Sequence, residues 1–349
     1  MNLHTPSTPR DLVLTRTMLE DFLFNPVLSA RVFFPKIELD AFQRARLKLA
    51  WLLPKFEDCS GVGSAKTLVS DWLFAQLRAL LIVNGSDGQA VGIYFPNFQS
   101  GKESFWTYYE KEWCSSPLFR AQLGQRMVED SDEADSRKRQ PSVYIQHFRN
   151  GSTVKMPAPS AMRNAATQKS LTFNTLIIEE VSEWDVLGEG IDTELMGRNR
   201  GESWNPHHPI WGNHMLLLYH AEAQNHPSWP RHKAIQDEVK SGNPDYGSFA
   251  WSYKDYSDRP RRDGSTFHRL RESVLRALEL NRRTMSDHDR LATHFGIWAK
   301  HGKGWFTPEL LDQATARGAK TGAVPALNRR HLEDELDRIL KAAFDEGLR

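Results

Sequence analysis

The sequence predicts an α/β protein built on a mainly parallel sheet flanked by helices, with a small helical appendage at its C-terminal end. Three observations predict it. Apolar runs of strand length alternate with helical segments through the middle of the chain. A loop of small residues, Ser60-Gly61-Val62-Gly63-Ser64-Ala65-Lys66-Thr67, leads directly into a helical apolar pattern. Far downstream, an apolar run at 173–178 ends in two acids, Glu179 and Glu180.

The loop is informative because of the chemistry it permits. Backbone N–H groups freed by small residues can point inward as a concave anion site, and the following helix adds the positive end of its dipole. Gly61 and Gly63 supply the freedom, and Ser60, Val62, Ser64 and Ala65 complete the cradle. Lys66 would reach the β- and γ-phosphates of ATP, and the Thr67 hydroxyl would ligate Mg²⁺. The fit to G-x-x-x-x-G-K-[ST] departs twice, with Ser60 at the first glycine and Ala65 at the glycine before the lysine; right-handed helical backbone at Ala65 would tolerate its Cβ. Leu68, Trp72, Ala75, Leu77, Ala79 and Leu80 then recur at helical spacing until Asn84-Gly85 supplies a stop. Upstream, Lys55-Phe56-Glu57-Asp58-Cys59 makes a poor buried strand.

The run at 173–178 is rich in β-branched and aromatic residues, as a central parallel strand should be. Carboxylates at its C-terminal end would sit at the crevice where open α/β sheets bind ligands. Glu179 is expected to hold Mg²⁺ through water, and Glu180 to orient and polarise the attacking water. Loop and acids in this order describe a P-loop NTPase of the ASCE (RecA-like) kind and make nucleotide hydrolysis the leading reading. The plain alternative is a strand running into a solvated acidic turn.

Composition permits such an enzyme: 349 residues at 40% hydrophobic can bury a large core. No stretch approaches the ~20 apolar residues of a membrane span, and the N-terminus lacks the apolar core of a signal peptide, so no membrane partner and a cytoplasmic location are expected. Cys59 and Cys114 form neither a disulfide framework nor a zinc set, which suits a reducing cytosol; Cys59 is expected to pack beside the loop. A net charge of +1 advertises no global field for nucleic acid. Arg137-Lys138-Arg139 and the arginines between 259 and 271 are local patches whose default is solvated surface. His207, His208, His214, His220, His226 and His232 crowd one region at spacings that match no familiar ligand set.

Along the chain, residues 1–50 read as an N-terminal helical segment, 51–265 as the ATPase core and 266–349 as a helical linker or lid with a tail. The helix at 39–50 is amphipathic, with Asp40 as its cap. It carries Gln43, whose amide offers both donor and acceptor. Residues 90–95 read as a strand leading to a helix whose Phe105, Tyr108, Tyr109 and Trp113 would cover the sheet, and 128–140 as a polar loop. Residues 142–156 give a hairpin signal around Asn150-Gly151, a type I′ turn pair, and 215–219 reads as another strand. Beyond Ser265 two apolar helical stripes, from Leu270 and from Leu332, are set among charges.

This order of elements resembles the ATPase part of the large terminase subunits that package DNA into tailed-phage capsids. The resemblance runs from Phe33 to about Gly318 and rests on Gln43, the Gly63-Ser64-Ala65-Lys66-Thr67 loop end, 94–99, Arg149-Asn150-Gly151-Ser152, Glu179-Glu180, Tyr219-His220-Ala221-Glu222 and the block from Leu291 through Phe306. It implies an ATP-hydrolysing motor with ATP and Mg²⁺ as cofactors, Gln43 reading the adenine edge, and Tyr219-His220-Ala221 as the coupling segment, His220 lying beside the nucleotide. The implied partners are double-stranded DNA, a portal protein, a small terminase subunit and further copies of the chain in a ring on the procapsid, in the host cytoplasm.

Two departures qualify what carries over. Where many terminases place an arginine in the phosphate loop, this chain has Val62, so an arginine finger from elsewhere is implied, with Arg163, Arg198 and Arg200 as candidates. After Gly318 the chain offers Asp334, Glu335 and Asp337 on a charged helix. Domains rarely fall below roughly fifty residues, so no nuclease activity is expected from this stretch: either the chain is an ATPase part alone, or cleavage belongs to a separate nuclease subunit. Other readings are a different P-loop DNA translocase of helicase type, and a P-loop scaffold that has lost activity.

Overall fold

The computed structural model describes residues 21–61, 64–84, 87–97, 115–123, 143–157, 172–187, 208–224, 226–250 and 284–298, with single positions elsewhere. Helix α1 (Pro26–Phe33) and helix α2 (Ala41–Leu52) precede strand β1 (Lys55–Asp58). Helix α3 starts with a π-helical stretch, Thr67–Leu73, and continues as regular α-helix over Phe74–Leu81. A two-stranded ribbon, β2 (Val83–Asn84) with β3 (Asp87–Gly88), leads into β4 (Ala90–Tyr94) and α4 (Pro117–Gln122). The hairpin β5 (Val143–His147) and β6 (Thr153–Pro157) is followed by β7 (Thr175–Ile178), α5 (Val181–Leu187), β8 (His214–Leu218), α6 (Trp229–Lys240), β9 (Tyr246–Phe249) and α7 (Asp287–Phe295).

The main sheet has seven strands in the order β5-β6-β4-β7-β8-β1-β9. Every neighbouring pair is parallel except the edge hairpin β5–β6. One strand, β8, separates loop-bearing β1 from acid-bearing β7. Registers Asp58↔Leu218 and Ile178↔Leu217 bring the carboxyl ends of the three strands to one edge. Residues more than a hundred positions apart in sequence thereby become neighbours.

The central strands are buried on both faces, as a parallel sheet sandwiched between helices requires. Phe56, Val91, Ile93, Ile177, Leu216 and Leu218 pack with α1, α2 and α3 on one side. Tyr94, Leu176, Ile178, Met215, Leu217 and Tyr219 pack on the other with Ile235 of α6 and Trp298. No helix among the described residues is long and apolar enough to cross a membrane.

The segment at 55–58, a poor strand by pattern, is a strand between β8 and β9, and its acids are buried because each has partners. The helix after the loop ends at Leu81, and Asn84 lies in the ribbon β2–β3 beyond it, so the stop falls three residues earlier than the Asn-Gly pair suggests. The hairpin forms where expected, but its turn is not type I′. Gly151 has φ 83°, Asn150 is not left-handed, and Gly151 N–H donates to Phe148 O at 3.2 Å while Phe148 N–H donates to Ser152 O at 2.9 Å. That is a three-residue connection with a left-handed glycine, favoured because Asn150 Nδ2 is drawn off to the Ala79 carbonyl at 2.8 Å. Of the aromatics at 105–113, Tyr108 packs against Trp72 with ring centroids 5.7 Å apart; Phe105, Tyr109 and Trp113 lie outside the described residues, as do 128–140 and both C-terminal helical stripes apart from scattered positions.

A fully buried arginine ties helix to sheet. Arg78 of α3 donates to Ile210 O, to Gly212 O at 3.0 Å and to Thr175 Oγ1 at 3.1 Å, and its guanidinium lies 5.6 Å from the Trp51 ring centroid. Arg78→Leu leaves those buried acceptors without a donor and should cost about 3 kcal/mol or more. The measurement is thermal unfolding, where an unchanged midpoint would contradict this role.

Candidate nucleotide-phosphate site

The loop between β1 and α3 is held from below by a network of buried charge. Asp58, at the carboxyl end of β1, pairs with Arg46 of α2 at 2.9 Å, both side chains fully buried. Arg46 also donates to Ser64 O at 2.6 Å and to Ser60 Oγ at 3.0 Å. Asp58 in turn accepts from Ser60 N–H at 3.0 Å and Ser70 Oγ at 3.1 Å. One guanidinium thus spans the two ends of the loop. Ser60, which replaces the first glycine of the motif, is the residue whose hydroxyl that guanidinium reaches.

Backbone conformation at Ala65 corrects the sequence expectation. Its φ is +58°, left-handed rather than right-handed. This turn needs the conformation that glycine adopts freely, and alanine holds it at a cost of about 1–2 kcal/mol. Gly61 needs its missing side chain for a different reason: a Cβ there would overlap the carbonyl of His294 in α7. Val62 and Gly63 lie outside the described residues.

Lys66 is buried at 8% exposure, and its ammonium is held by the Ser60 carbonyl and by the Tyr219 carbonyl at 3.0 Å. Burial pulls its pKa down, while Asp58 and Glu179 pull it back up. Tyr219 follows β8 directly, so Lys66 links the loop between β1 and α3 to the segment Tyr219-His220-Ala221.

Glu179 and Glu180 follow the carboxyl end of β7 and differ in exposure. Glu179 is 4% exposed and faces the Thr67 hydroxyl, Lys66 and Asp71. Burial drives its carboxyl up to about 7, against the opposing pull of Lys66 and the Thr67 hydrogen bond. Asp71, one turn beyond Thr67, is raised well above the carboxylate range by burial and by Glu179, within hydrogen-bonding reach. Sequence reading passed over Asp71, which carries only the signal of an acid in an otherwise apolar helical turn.

Glu180 has φ 52°, a second left-handed non-glycine residue, and is 37% exposed. The turn is fixed by Trp184 Nε1, which donates to Glu179 O at 3.0 Å, and by Glu183 N–H, which donates to Glu180 O at 2.9 Å. His220 lies 3.7 Å from the Glu180 carboxylate, and Ser182 Oγ donates to His220 O at 2.6 Å. The His220 imidazole beside it is the main reason the Glu180 carboxyl is held below its ordinary value, with Lys66 adding a smaller pull. Glu180 is accordingly ionised and available as an acceptor at neutral pH.

These residues fit an Mg-nucleotide by their donor chemistry. The loop presents a cation and small residues at a helix start, while a buried carboxylate and a hydroxyl stand side by side as hard oxygen ligands. Thr67 and Glu179 would hold Mg²⁺. Gln43 is buried, and its Oε1 accepts from Asp40 N–H at 2.9 Å in a capping box that starts α2. The acceptor side of its amide therefore serves the helix end. Arg163, Arg198 and Arg200 lie outside the described residues. The histidine crowd does not assemble: His208 Nδ1 accepts from Ile210 N–H, His214 Nε2 meets Pro209 O, and His226 Nδ1 accepts from Ser228 N–H. His220 and His232 go to separate clusters, and His207 lies outside the described residues.

No family model matches the chain, and no curated protein matches it. Its fold is similar to that of phage large terminases. The large terminase of a thermophilic bacteriophage, solved in complex with ADP, is 11% identical with a TM-score of 0.48, over 75% of this chain and 54% of that one. The HK97 bacteriophage large terminase is 16% identical with a TM-score of 0.49, over 82% and 56%. The ATPase domain of the Thermus phage P74-26 large terminase is 14% identical with a TM-score of 0.39, over 71% and 91%. The chain spans about half the length of the first two of these proteins. The likeness at these identities is one of fold.

Ala65→Gly relieves the left-handed strain and should stabilise the protein by about 1 kcal/mol in thermal unfolding; a loss of stability would contradict the backbone assignment. In metal-free buffer the folded chain keeps a proton on Glu179 between its ordinary value of 4.5 and about 7 that the unfolded chain has released. The associated stability is complete below the lower value and lost as pH rises through the upper one. Glu179→Gln cannot titrate, so its unfolding midpoint should gain on that of the parent across this window. Parallel pH profiles for the two proteins would contradict the assignment.

Proposed function

We propose that this chain is an ATP-hydrolysing motor subunit, and that its work is the packaging of double-stranded DNA into a phage capsid. One observation carries the ATPase reading: Lys66 and Thr67, at the start of α3, act on Glu179 and Glu180 at the end of β7, all at the carboxyl edge of the sheet. The packaging reading rests on the serial order of motifs from Gln43 to Trp298.

In this reading Lys66 exchanges its carbonyl partners, Ser60 and Tyr219, for the phosphates of ATP. Because Tyr219 opens the segment that also carries His220, that exchange frees a contact between the nucleotide loop and the rest of the sheet edge. His220 orients the ionised Glu180, which accepts a hydrogen bond from the attacking water and polarises it toward the γ-phosphate. Mg²⁺, when bound by Thr67 and Glu179, supplies charge neutralisation on the phosphate oxygens. An arginine finger from a neighbouring copy, with Arg163, Arg198 and Arg200 as candidates, would complete the site in a ring. Portal protein and small terminase subunit are the corresponding partners.

The tests separate binding from turnover. Lys66→Ala should abolish ATP binding, seen as loss of the Mg-ATP-dependent rise in unfolding midpoint. Glu180→Gln should keep that rise while turnover falls by at least about 10²-fold. Full turnover in Glu180→Gln would end the proposed role of that residue. DNA-stimulated ATPase that needs no portal would shift the reading to another translocase.

A further inference from the structure

Strand β1 presents a second constellation to the opposite face of the sheet from α3. Glu57 and Cys59 are two residues apart and so share a side; both are buried, at 0% and 1% exposure. Across from them α6 offers His232 and, one turn on, Gln236. His232 Nδ1 lies 3.5 Å from Cys59 Sγ and 3.2 Å from the Glu57 carboxylate. All three donor atoms fall within 4.8 Å of one another. Tetrahedral Zn²⁺, with bonds of about 2.0–2.2 Å to nitrogen and oxygen and about 2.3 Å to sulfur, sets its ligand atoms about 3.3–3.6 Å apart. The histidine–thiol and histidine–carboxylate spacings agree with that tetrahedron.

The surroundings are those of oriented ligands. Gln236 Nε2 and Ser248 Oγ both donate to Glu57 Oε1, the latter at 2.7 Å, and His232 Nδ1 lies 3.2 Å from each carboxylate oxygen. The Trp298 ring stacks on the His232 ring at 5.0 Å and 20°. Partners of this kind fix ring orientation and ligand basicity at metal sites.

We propose that Glu57, Cys59 and His232 form a site for a transition metal of the zinc class, with water as the fourth ligand. Binding releases the Cys59 proton to solvent and makes the sulfur a thiolate ligand. Without a cation, burial and the Glu57 charge keep that proton in place. The site is separate from the Mg-nucleotide cleft, and it does not depend on the ATPase reading. Its effect would be mechanical: Cys59 immediately precedes Ser60, whose carbonyl holds Lys66, so a cation here pins the root of the phosphate loop to α6.

Co²⁺ titration of the chelator-treated full chain tests this directly, because thiolate ligation to cobalt gives an intense charge-transfer band and four-coordination gives strong visible bands. One equivalent of Co²⁺ should produce both, Zn²⁺ should bleach both, and elemental analysis after desalting should count one zinc per chain. Cys114→Ser should keep the charge-transfer band, Cys59→Ser should lose it, and His232→Ala should weaken binding at least tenfold. Absence of a thiolate band in the parent protein overturns the proposal whatever the variants do, and so does a band that survives Cys59→Ser. Circular dichroism of each variant guards against misfolding, and the cobalt spectrum of the parent protein and of Cys114→Ser requires no change at the site.

Discussion

Charge buried at the root of the loop between β1 and α3 governs the rest of this structure. Asp58 and Arg46 meet with no access to water, and an isolated charge in such a place would cost several kcal/mol. Neither is isolated: Arg46 reaches Ser60 and Ser64, and Asp58 receives Ser60 N–H and Ser70. The pair therefore exists only if the loop closes over it, and the loop closes in one way only if the pair is there. Helix α2, strand β1, the loop and helix α3 are tied into one unit by this requirement.

Ionisable groups in and beside this unit are held in a state of tension. Lys66 is an ammonium pulled out of water onto two carbonyls, Glu179 is a carboxyl pushed toward protonation, and Ala65 and Glu180 occupy a backbone region that costs each of them about 1 kcal/mol or more. Strain of this kind persists where neighbours over-determine it. Here the neighbours are Trp184, Ser182 and the carboxyl-edge carbonyls. A phosphate oxygen arriving at Lys66, or a cation at Glu179, would relieve what burial imposes.

Much of the fold was legible because its signals are local. The capping box Asp40–Gln43 stands where an acid precedes an amphipathic run, β7 where an apolar run ends in two acids, and the β5–β6 hairpin around Asn150-Gly151. The misreadings are equally physical. Segment 55–58 looks too polar for a core strand because its acids find Arg46, Gln236, Ser248 and His232 from three other parts of the chain. The hairpin turn took a three-residue form because Asn150 bonds across to the end of α3. Ala65 was expected in right-handed backbone because sequence shows the residue and not the dihedral.

What the sequence determined by itself was the list of parts and their order: a small-residue loop with a lysine, a helix after it, an apolar strand carrying two acids, and alternation that forces a parallel sheet. Each follows from spacing, which is a property of neighbours along the chain. Only the tertiary structure decided that β8 separates the loop strand from the acid strand, that Lys66 rests on Tyr219, that Asp71 leans on Glu179, and that His232 crosses to Glu57 and Cys59. Those meetings depend on strand order and on which helix covers which face. Packing across the sheet settles both, and no pattern along the chain records it.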